Sequence, residues 1–289
     1  YEQYLCWGLP PVHSSTDWPA DASMGRPSQT WWITGAGAGI GRELALRLAA
    51  DGHKVYATAR TRADLDSLAA LYPHCITPLP ADVSDERTMA SLWQSLPSPP
   101  TALDGVVLAA GICEYVDAPQ FDIASFRRVM DVNFHGVVLA CQAAMPLLLA
   151  AGQRNGADKP KLIGIGSLSS VVGLPRAEAY GASKAAMHYF FDALRCDMGR
   201  KLDITVVQPG FVATRLTARN DFAMPFLWST DRAAGYLYDR LWSSRLLIRF
   251  PWQLSLILRL AALLSGLWYR QLAPRLSRTP PPPSQGSKQ

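Results

Sequence analysis

Cysteine is scarce in this chain and is spread without pattern. The five thiols, Cys6, Cys75, Cys113, Cys141 and Cys196, form no C-x-x-C pair and have no histidine at metal-ligand spacing. Neither a disulfide framework nor a zinc site is therefore expected, and a reducing, cytoplasmic compartment is the default. Acidic residues are missing from one region altogether. Residues 241–289 carry seven basic residues (Arg245, Arg249, Arg259, Arg270, Arg275, Arg278, Lys288) and no Asp or Glu, whereas residues 1–240 carry 21 Lys and Arg against 23 Asp and Glu. The formal charge of +5 is thus a near-neutral body joined to a strongly basic end. A basic surface spread over the fold is excluded, and with it the main support for nucleic-acid binding. Residues 1–23 lack the basic start and long apolar stretch of a secretory signal. They are expected to be an unstructured extension or a start-site artefact, with Met24 as the natural start.

What is present is the composition of a globular protein. Apolar residues make up 49% and charged residues 18%, which rules out a disordered chain, and the 22 Pro and 21 Gly follow no collagen-like period. A length of 289 residues allows one large α/β domain or two small ones. From Thr30 onward, short β-branched or apolar runs alternate with helix-length segments, the pattern of a parallel sheet covered on both faces. Strands are expected at 30–34, 54–58, 75–79, 104–109, 161–166, 203–208 and 246–250, with helices at 40–51, 62–71, 85–95, 122–149, 177–200 and 230–242. The fold class is therefore α/β, a single Rossmann-like doubly wound sheet of about seven strands followed by a C-terminal apolar helix. Residues 24–250 form the expected main domain, 251–276 an apolar helical segment, and 277–289 a loose Pro-rich terminus.

After the first strand comes Thr34-Gly35-Ala36-Gly37-Ala38-Gly39-Ile40-Gly41, followed by an amphipathic helix. A helix N-terminus offers unpaired N–H groups and the positive end of a dipole, and glycines let a pyrophosphate approach the backbone. The common G-x-G-x-x-G spacing does not fit; the pattern is T-G-x-x-x-G-x-G. Strand two ends Ala57-Thr58-Ala59-Arg60. A free ribose 2′-hydroxyl is held by a carboxylate about 20 residues past the glycine loop, while a 2′-phosphate needs a cation. With Ala59 and Arg60 at that place, NADP(H) is preferred over NAD(H).

Further on, Tyr180-Gly181-Ala182-Ser183-Lys184 sets a phenol and an ammonium one helical turn apart on one face. A nearby cation draws a phenol toward a useful working range. Ser167 stands 13 residues before Tyr180, in Gly166-Ser167-Leu168-Ser169-Ser170, and Asn133 lies in a helix, where Asn is a poor former.

From about Thr30 to Gly210 these ordered motifs resemble the short-chain dehydrogenase/reductase family. The resemblance implies a nicotinamide cofactor and hydride transfer to or from a carbonyl or alcohol carbon. It implies a catalytic set of Asn133, Ser167, Tyr180 and Lys184. Ser167 would hold the substrate oxygen, Tyr180 would exchange the proton, Lys184 would lower the tyrosine pKa and hold the ribose, and Asn133 would complete a water-linked relay. Cofactor contacts would come from Gly35, Gly37, Ala38, Gly39, Ile40 and Arg60, from the Asp82-Val83 pair beside the adenine, and from Ala110 and Gly111. Tyr180, Lys184, Pro209, Gly210, Val212 and Thr214 would complete them. Asp82 has a second reading as a cap for the helix near Ser84, Ser169 and Ser170 serve the loop, and His135 is structural. The chain departs from the family at Leu108-Ala109-Ala110-Gly111, where an Asn-Asn-Ala-Gly is usual, which puts the bonding between the central strands in doubt.

Between Thr214 and Asp231 the family keeps its substrate lid, here rich in Phe222, Met224, Phe226, Leu227 and Trp228. These side chains suit an apolar substrate or else pack the lid onto the body. The run Leu254 to Tyr269 is too short, and with Arg259 too polar, for an ordinary membrane span. On one helix, Ser255, Arg259, Ala262, Gly266 and Arg270 would form a narrow polar stripe. Such a helix either packs on the fold or a second subunit, the favoured reading, or lies in a membrane interface as a peripheral contact. The expected partners are a small carbonyl or alcohol and further copies of the chain, with no nucleic acid and no metal. The rival reading is a catalytically idle NADP-binding protein that uses its C-terminal helix for docking.

Overall fold

A computed structural model of the chain describes residues 27–116, 120–154 and 158–276. The expected extension at 1–23 and terminus at 277–289 lie outside the described residues. Seven strands form one parallel sheet: β1 Thr30–Thr34, β2 Lys54–Thr58, β3 Ile76–Pro78, β4 Gly105–Leu108, β5 Lys161–Ile165, β6 Asp203–Pro209 and β7 Leu247–Phe250. Their spatial order is β3-β2-β1-β4-β5-β6-β7. Each strand falls within a residue or two of its place in the sequence pattern, because strands buried on both faces read as continuous apolar runs. The order reverses between β1 and β4, and ligands of such sheets bind beyond the carboxyl ends of the strands at that switch.

Helices cover both faces. On one, α1 Gly39–Ala50, α2 Arg62–Ala69 and α6 Thr230–Tyr238 enclose a core of Trp31, Ile33, Leu44, Leu48, Leu65 and Leu237. On the other, α3 Glu86–Ala90, the long α4 Ile123–Arg154 and α5 Glu178–Met198 enclose Trp32, Met89, Ala140, Leu148, Met187 and Phe191. Consecutive tryptophans in β1 therefore anchor the two cores separately. Trp31 lies flat against Gly105 of β4, where a Cβ would stand 2.2 Å from the indole. The expected helix at 85–95 is shorter than the pattern suggested, with a single turn at Trp93–Ser95 after α3. Pro97, Pro99 and Pro100 remove the donors that would extend it.

Helix α4 is long and apolar enough by length and composition to cross a membrane. In the fold its row Val137, Ala140, Ala144, Leu148 and Ala151 lies buried against the sheet.

The C-terminal segment departs from expectation. Instead of one helix it forms α7 Trp252–Leu263 and α8 Ser265–Leu276, bent by 92° at Leu264. Leu264 leaves the helical region at ψ 45°, and Ser265 and Gly266, weak helix formers, follow it. The bend lets the Trp268 indole donate to the Gly173 carbonyl at 2.9 Å, while the Gly173 amide donates to the Tyr269 hydroxyl at 3.0 Å. Leu254, Leu258, Ala261, Trp268 and Ala273 pack this bracket onto Leu168 and Val172. The expected polar stripe is broken rather than continuous, since Ser255 is buried and Ala262 half-buried while Arg259, Gly266 and Arg270 are exposed, and Leu256, Ile257, Leu260, Leu263, Leu264 and Leu267 face outward as well.

Candidate active site

The cleft opens where β1 runs into α1. Gly35 and Gly39 adopt φ values of +70° and +61°, and a Cβ on Gly35 would lie 2.6 Å from the backbone of Ala109 and Ala110. A Cβ on Gly41 would meet the Gly35 carbonyl at 2.6 Å, and one on Gly37 would touch Ala59 at 3.0 Å. The turn is thus closed down on its neighbours with no room for side chains. The N-cap of α1 is Ala38, which offers no side-chain acceptor, so the first N–H groups of the helix face the cleft uncapped. Thr214 reaches across, its methyl 3.2 Å from the Cβ position of Gly39. Gly37, Ala38, Gly39, Arg42, Thr214 and Arg215 line a cleft of about 480 Å³. A pyrophosphate needs such a cradle of glycines and free helix N–H groups, and the residues present fit one.

Arg60 is exposed at the end of β2 and makes no ion pair or hydrogen bond among the described residues. Asp64, which sequence reasoning passed over, stands beside Gly37 and Ala59. Its carboxylate is engaged by Arg215 at 3.0 and 3.3 Å. Asp82 accepts from the Ser84 amide at 2.9 Å and its hydroxyl at 2.7 Å, whereas α3 is capped by Asp85 through the Arg87 and Thr88 amides. Val83 lies under Gly136 of α4, where a Cβ would come within 2.9 Å of it.

Past β4, the missing asparagines are replaced by other bonds. The Ala109 amide donates to the Thr34 carbonyl at 3.2 Å and the Ala110 amide to the Thr34 hydroxyl at 3.3 Å. Asn133 sits at a π-helical turn, Asp131–His135, inside α4 and is fully buried. Such a turn is frequent at functional sites. Its Oδ1 accepts from the Ile112 amide at 2.8 Å, and its Nδ2 donates to the Ile112 carbonyl at 2.9 Å and to Ser183 at 3.0 Å. The side-chain amide therefore holds the β4 exit loop against α5. His135 pairs with Asp131 one turn back at 2.9 Å, on the exposed side of the helix.

Ser167 follows β5 and caps a short turn at Leu168–Ser170, accepting from the Ser169 amide at 3.1 Å and hydroxyl at 2.9 Å. Its hydroxyl is near enough to the Tyr180 phenol to favour the charged form, which works against burial; burial wins and pushes that phenol above the ordinary tyrosine value. Lys184 is buried, donates to the Ile165 carbonyl at 2.9 Å, and stands 5.9 Å from the Tyr180 ring centre. Burial lowers its pKa to about 8. The ammonium points to a backbone carbonyl and the phenol is raised. Gly111 passes close by, with its Cβ position 3.2 Å from Asn133 Oδ1 and 3.3 Å from Lys184 Nζ. Pro209 ends β6, the Gly210 amide donates to the Phe250 carbonyl at 2.7 Å, and the Val212 carbonyl accepts from Thr217 at 2.6 Å.

Residues 29–223 match the short-chain dehydrogenase family profile. The chain belongs to the short-chain dehydrogenase/reductase family. An uncharacterised oxidoreductase of Myxococcus xanthus is 32% identical over 252 residues, covering 86% of this chain and 97% of that protein. An Arabidopsis thaliana protein named 11-beta-hydroxysteroid dehydrogenase 1A is 32% identical over 197 residues, 66% of this chain, which spans only about half (54%) of that relative. Among solved structures, a Burkholderia cenocepacia short-chain dehydrogenase in complex with NADP superposes with a TM-score of 0.72 at 21% identity, covering 86% of this chain and 97% of the other. The family binds a nicotinamide cofactor.

In this member of the family, side chains that the motifs did not reveal gather around Tyr180 and Lys184. Cys113 lies beside Tyr180 and Lys184, and burial raises its thiol to about 11. Tyr115, raised to about 12 by burial and then by the neighbouring Cys113, donates to Asn220 of the lid. The Arg176 guanidinium lies 5.1 Å from the Tyr115 ring centre and pairs with Asp221 at 3.3 Å. Phe222 meets both Tyr115 and Phe211 edge-on at 5.9 Å. The lid side chains thus divide, for Trp228 stacks on Phe250 in the core at 5.0 Å, Met224 and Leu227 line the cleft, and Phe226 is exposed. Gln208 extends the arrangement on the other side, donating to Ser170 at 2.9 Å while accepting from Arg249 at 2.7 Å. Ser170 in turn donates to the Ser167 carbonyl at 2.7 Å.

Proposed function

We propose that this protein is an NADP(H)-dependent oxidoreductase that moves hydride between the nicotinamide and a carbonyl or alcohol carbon of an apolar small molecule. The observation that carries this reading is the meeting of Ser167, Tyr180 and Lys184, with Ser167 near enough to the phenol to favour its charged form and the buried Lys184 Nζ 5.9 Å from the phenol ring centre. Gly35, Gly37, Ala38, Gly39, Ile40 and the open end of α1 would hold the pyrophosphate, Asp82 and Val83 the adenine, and Ala110 and Gly111 the neighbouring ribose. Pro209, Gly210, Val212 and Thr214 would border the nicotinamide. The free Arg60 cation would take the 2′-phosphate, and Asp64 does not oppose it strongly because Arg215 already neutralises it. The NADP complex of the Burkholderia relative is consistent with that assignment.

The bound cofactor supplies the hydride. The chain supplies the rest. Ser167 holds the carbonyl oxygen in place. Tyr180, kept protonated through the neutral range by its raised pKa, gives its proton to that oxygen as negative charge develops there. The phenolate so formed lies next to the Lys184 cation, which stabilises it until a proton returns. Asn133 keeps Ile112 and Ser183 fixed around this group. Phe211, Phe222 and Tyr115 give the substrate side an apolar wall. The free thiols Cys75, Cys113, Cys141 and Cys196 suit a reducing cytoplasm.

The test is Tyr180→Phe, assayed against a panel of ketones, aldehydes and alcohols. NADPH reduction of any accepted carbonyl should vanish while NADPH binding, followed by its fluorescence, stays nearly intact. Turnover surviving in Tyr180→Phe would refute the assignment. Absence of turnover by the unaltered protein across the panel, with NADPH still bound, would favour the idle cofactor binder.

A further inference from the structure

The bracket of α7 and α8 presents two surfaces with different chemistry. Its inner surface is accounted for by the packing on Leu168 and Val172. Its outer surface is a ridge of exposed Leu256, Ile257, Leu260, Leu263, Leu264 and Leu267, with Leu263 78% accessible. Trp252, 69% exposed, stands at one end of it. A ridge of this kind is unlike the scattered single leucines common on soluble proteins and marks a contact surface.

What covers it is indicated by charge. At the start of α7, Leu247, Arg249, Trp252, Ser255, Leu256 and Arg259 line an open groove of about 390 Å³. Arg249 gives its Nε to Gln208, and among the described residues neither its remaining nitrogens nor the Arg259 guanidinium meets a carboxylate. Burial, and then the charge of Arg259, both disfavour the Arg249 cation, so the groove holds two like charges without compensation. Arg245, Arg270 and Arg275 add to the same end of the chain, and no acidic residue follows Asp239. A second copy of the chain is a poor occupant. A two-fold contact pairs this patch with its own copy, and since the bracket carries no carboxylate its arginines would stay uncompensated there. A surface that is apolar in depth and anionic at its rim matches both features, and leucines entering the acyl boundary beneath arginines at headgroup level is how interfacial helices bind.

We propose that the α7–α8 bracket docks the protein on an anionic phospholipid surface, the outer leucine ridge entering the bilayer interface and the Arg249–Arg259 groove receiving a lipid phosphate. The contact does not depend on the assignment of the reaction. It gives an apolar substrate dissolved in the bilayer a short path to the enzyme, because the same bracket is bonded to Gly173 in the loop between Ser167 and Tyr180.

The experiment is co-sedimentation of the full chain with phosphatidylcholine vesicles, with and without phosphatidylglycerol, at low and high salt. The protein should bind the phosphatidylglycerol vesicles and leave them as salt rises. Each arginine near an anionic surface contributes about a fivefold gain in partitioning, so Arg249→Gln with Arg259→Gln should weaken binding about 30-fold. Leu260→Glu, Leu263→Glu and Leu264→Glu together should abolish it, with NADPH binding retained as the sign of a folded body, since all three side chains are exposed. No sedimentation with either vesicle, or equal binding to both that the arginine changes leave alone, would overturn the proposal. So would a dimer in light scattering that the triple leucine variant converts to monomer, which would assign the ridge to a second copy.

Discussion

The two sides of the cleft are built from different materials. The cofactor side is backbone. Gly35, Gly37, Gly39 and Gly41 bring main chain against main chain with no spare volume, and the open end of α1 supplies the donors. The proposed substrate side is side chains, namely Tyr115, Arg176 and Phe222 against the lid and Trp268 and Tyr269 against Gly173. A backbone site fails all at once when a single atom is added. A side-chain site loses its parts one by one and adapts more readily to new substrates.

The comparison is tested most severely by Gly35→Ala. The methyl would be forced to within 2.6 Å of Ala109 and Ala110 at a φ of +70°. Left-handed strain and overpacking together should cost about 4 kcal/mol, with the urea midpoint lowered and NADPH binding lost. A variant with unchanged stability would show that the turn has slack and that the contrast is overdrawn. On the other side, Trp268→Ala removes the largest side chain in the small core beneath the bracket, where the indole is 6% exposed. A loss of about 3 kcal/mol is expected at this peripheral site. Hydrogen exchange should localise that loss to α7, α8 and the 168–174 loop, with NADPH affinity spared. Uniform loosening of the sheet would mean that the bracket belongs to the main core.

This difference in material also explains what could be read from the sequence. Seven strands and the glycine turn were legible because a doubly buried strand and a tight phosphate turn each demand residue types at fixed spacing. Tyr180, Lys184 and Ser167 were legible as a spaced set that the structure brings together. Tyr115, Cys113 and Arg176 were not, since they meet only when β4 and the loop after Ser167 fold against the lid, and no local period announces that. Asp64 was missed for the same reason, being a contact of α2 with Gly37 and Arg215. The bend at Leu264 was hidden by a different effect. A continuous apolar run is compatible with one helix or two, and only the tertiary bonds to Gly173 choose between them.

Arg60 offers a smaller and more local test of the cofactor side, where a side chain rather than the backbone is held to discriminate. If its free guanidinium takes a 2′-phosphate, Arg60→Ala should raise KM for NADPH about 30-fold, near 2 kcal/mol for a lost charged hydrogen bond, and leave KM for NADH almost unchanged. Equal effects on both cofactors would remove the basis for NADP preference. A useful companion is Arg215→Ala, which frees Asp64 beside Gly37. The released carboxylate should shift preference toward NADH.

The smallest expected effect lies where the two sides meet, at Lys184. Burial lowers its pKa to about 8 from the usual 10.5, so the cation is present at neutral pH and is lost as the pH rises past 8. Tyr180 is shifted the other way and stays protonated over the same range. For carbonyl reduction, kcat/KM for NADPH reports the free enzyme. It should be level below pH 8 and fall about tenfold per unit above it. Stability should move in the opposite direction. Between about pH 8 and 10.5 the unfolded lysine binds the proton that the folded one has released, so folding is favoured increasingly as pH rises through that window. Activity falling while the contribution of this residue to stability rises is a signature that a general alkaline loss of structure would not give. Lys184→Arg keeps the charge at every accessible pH and should remove the limb near pH 8, whatever it does to the absolute rate. If the limb persists in that variant, the titrating group is not Lys184. The cation that serves the tyrosine must then be sought elsewhere in the cleft.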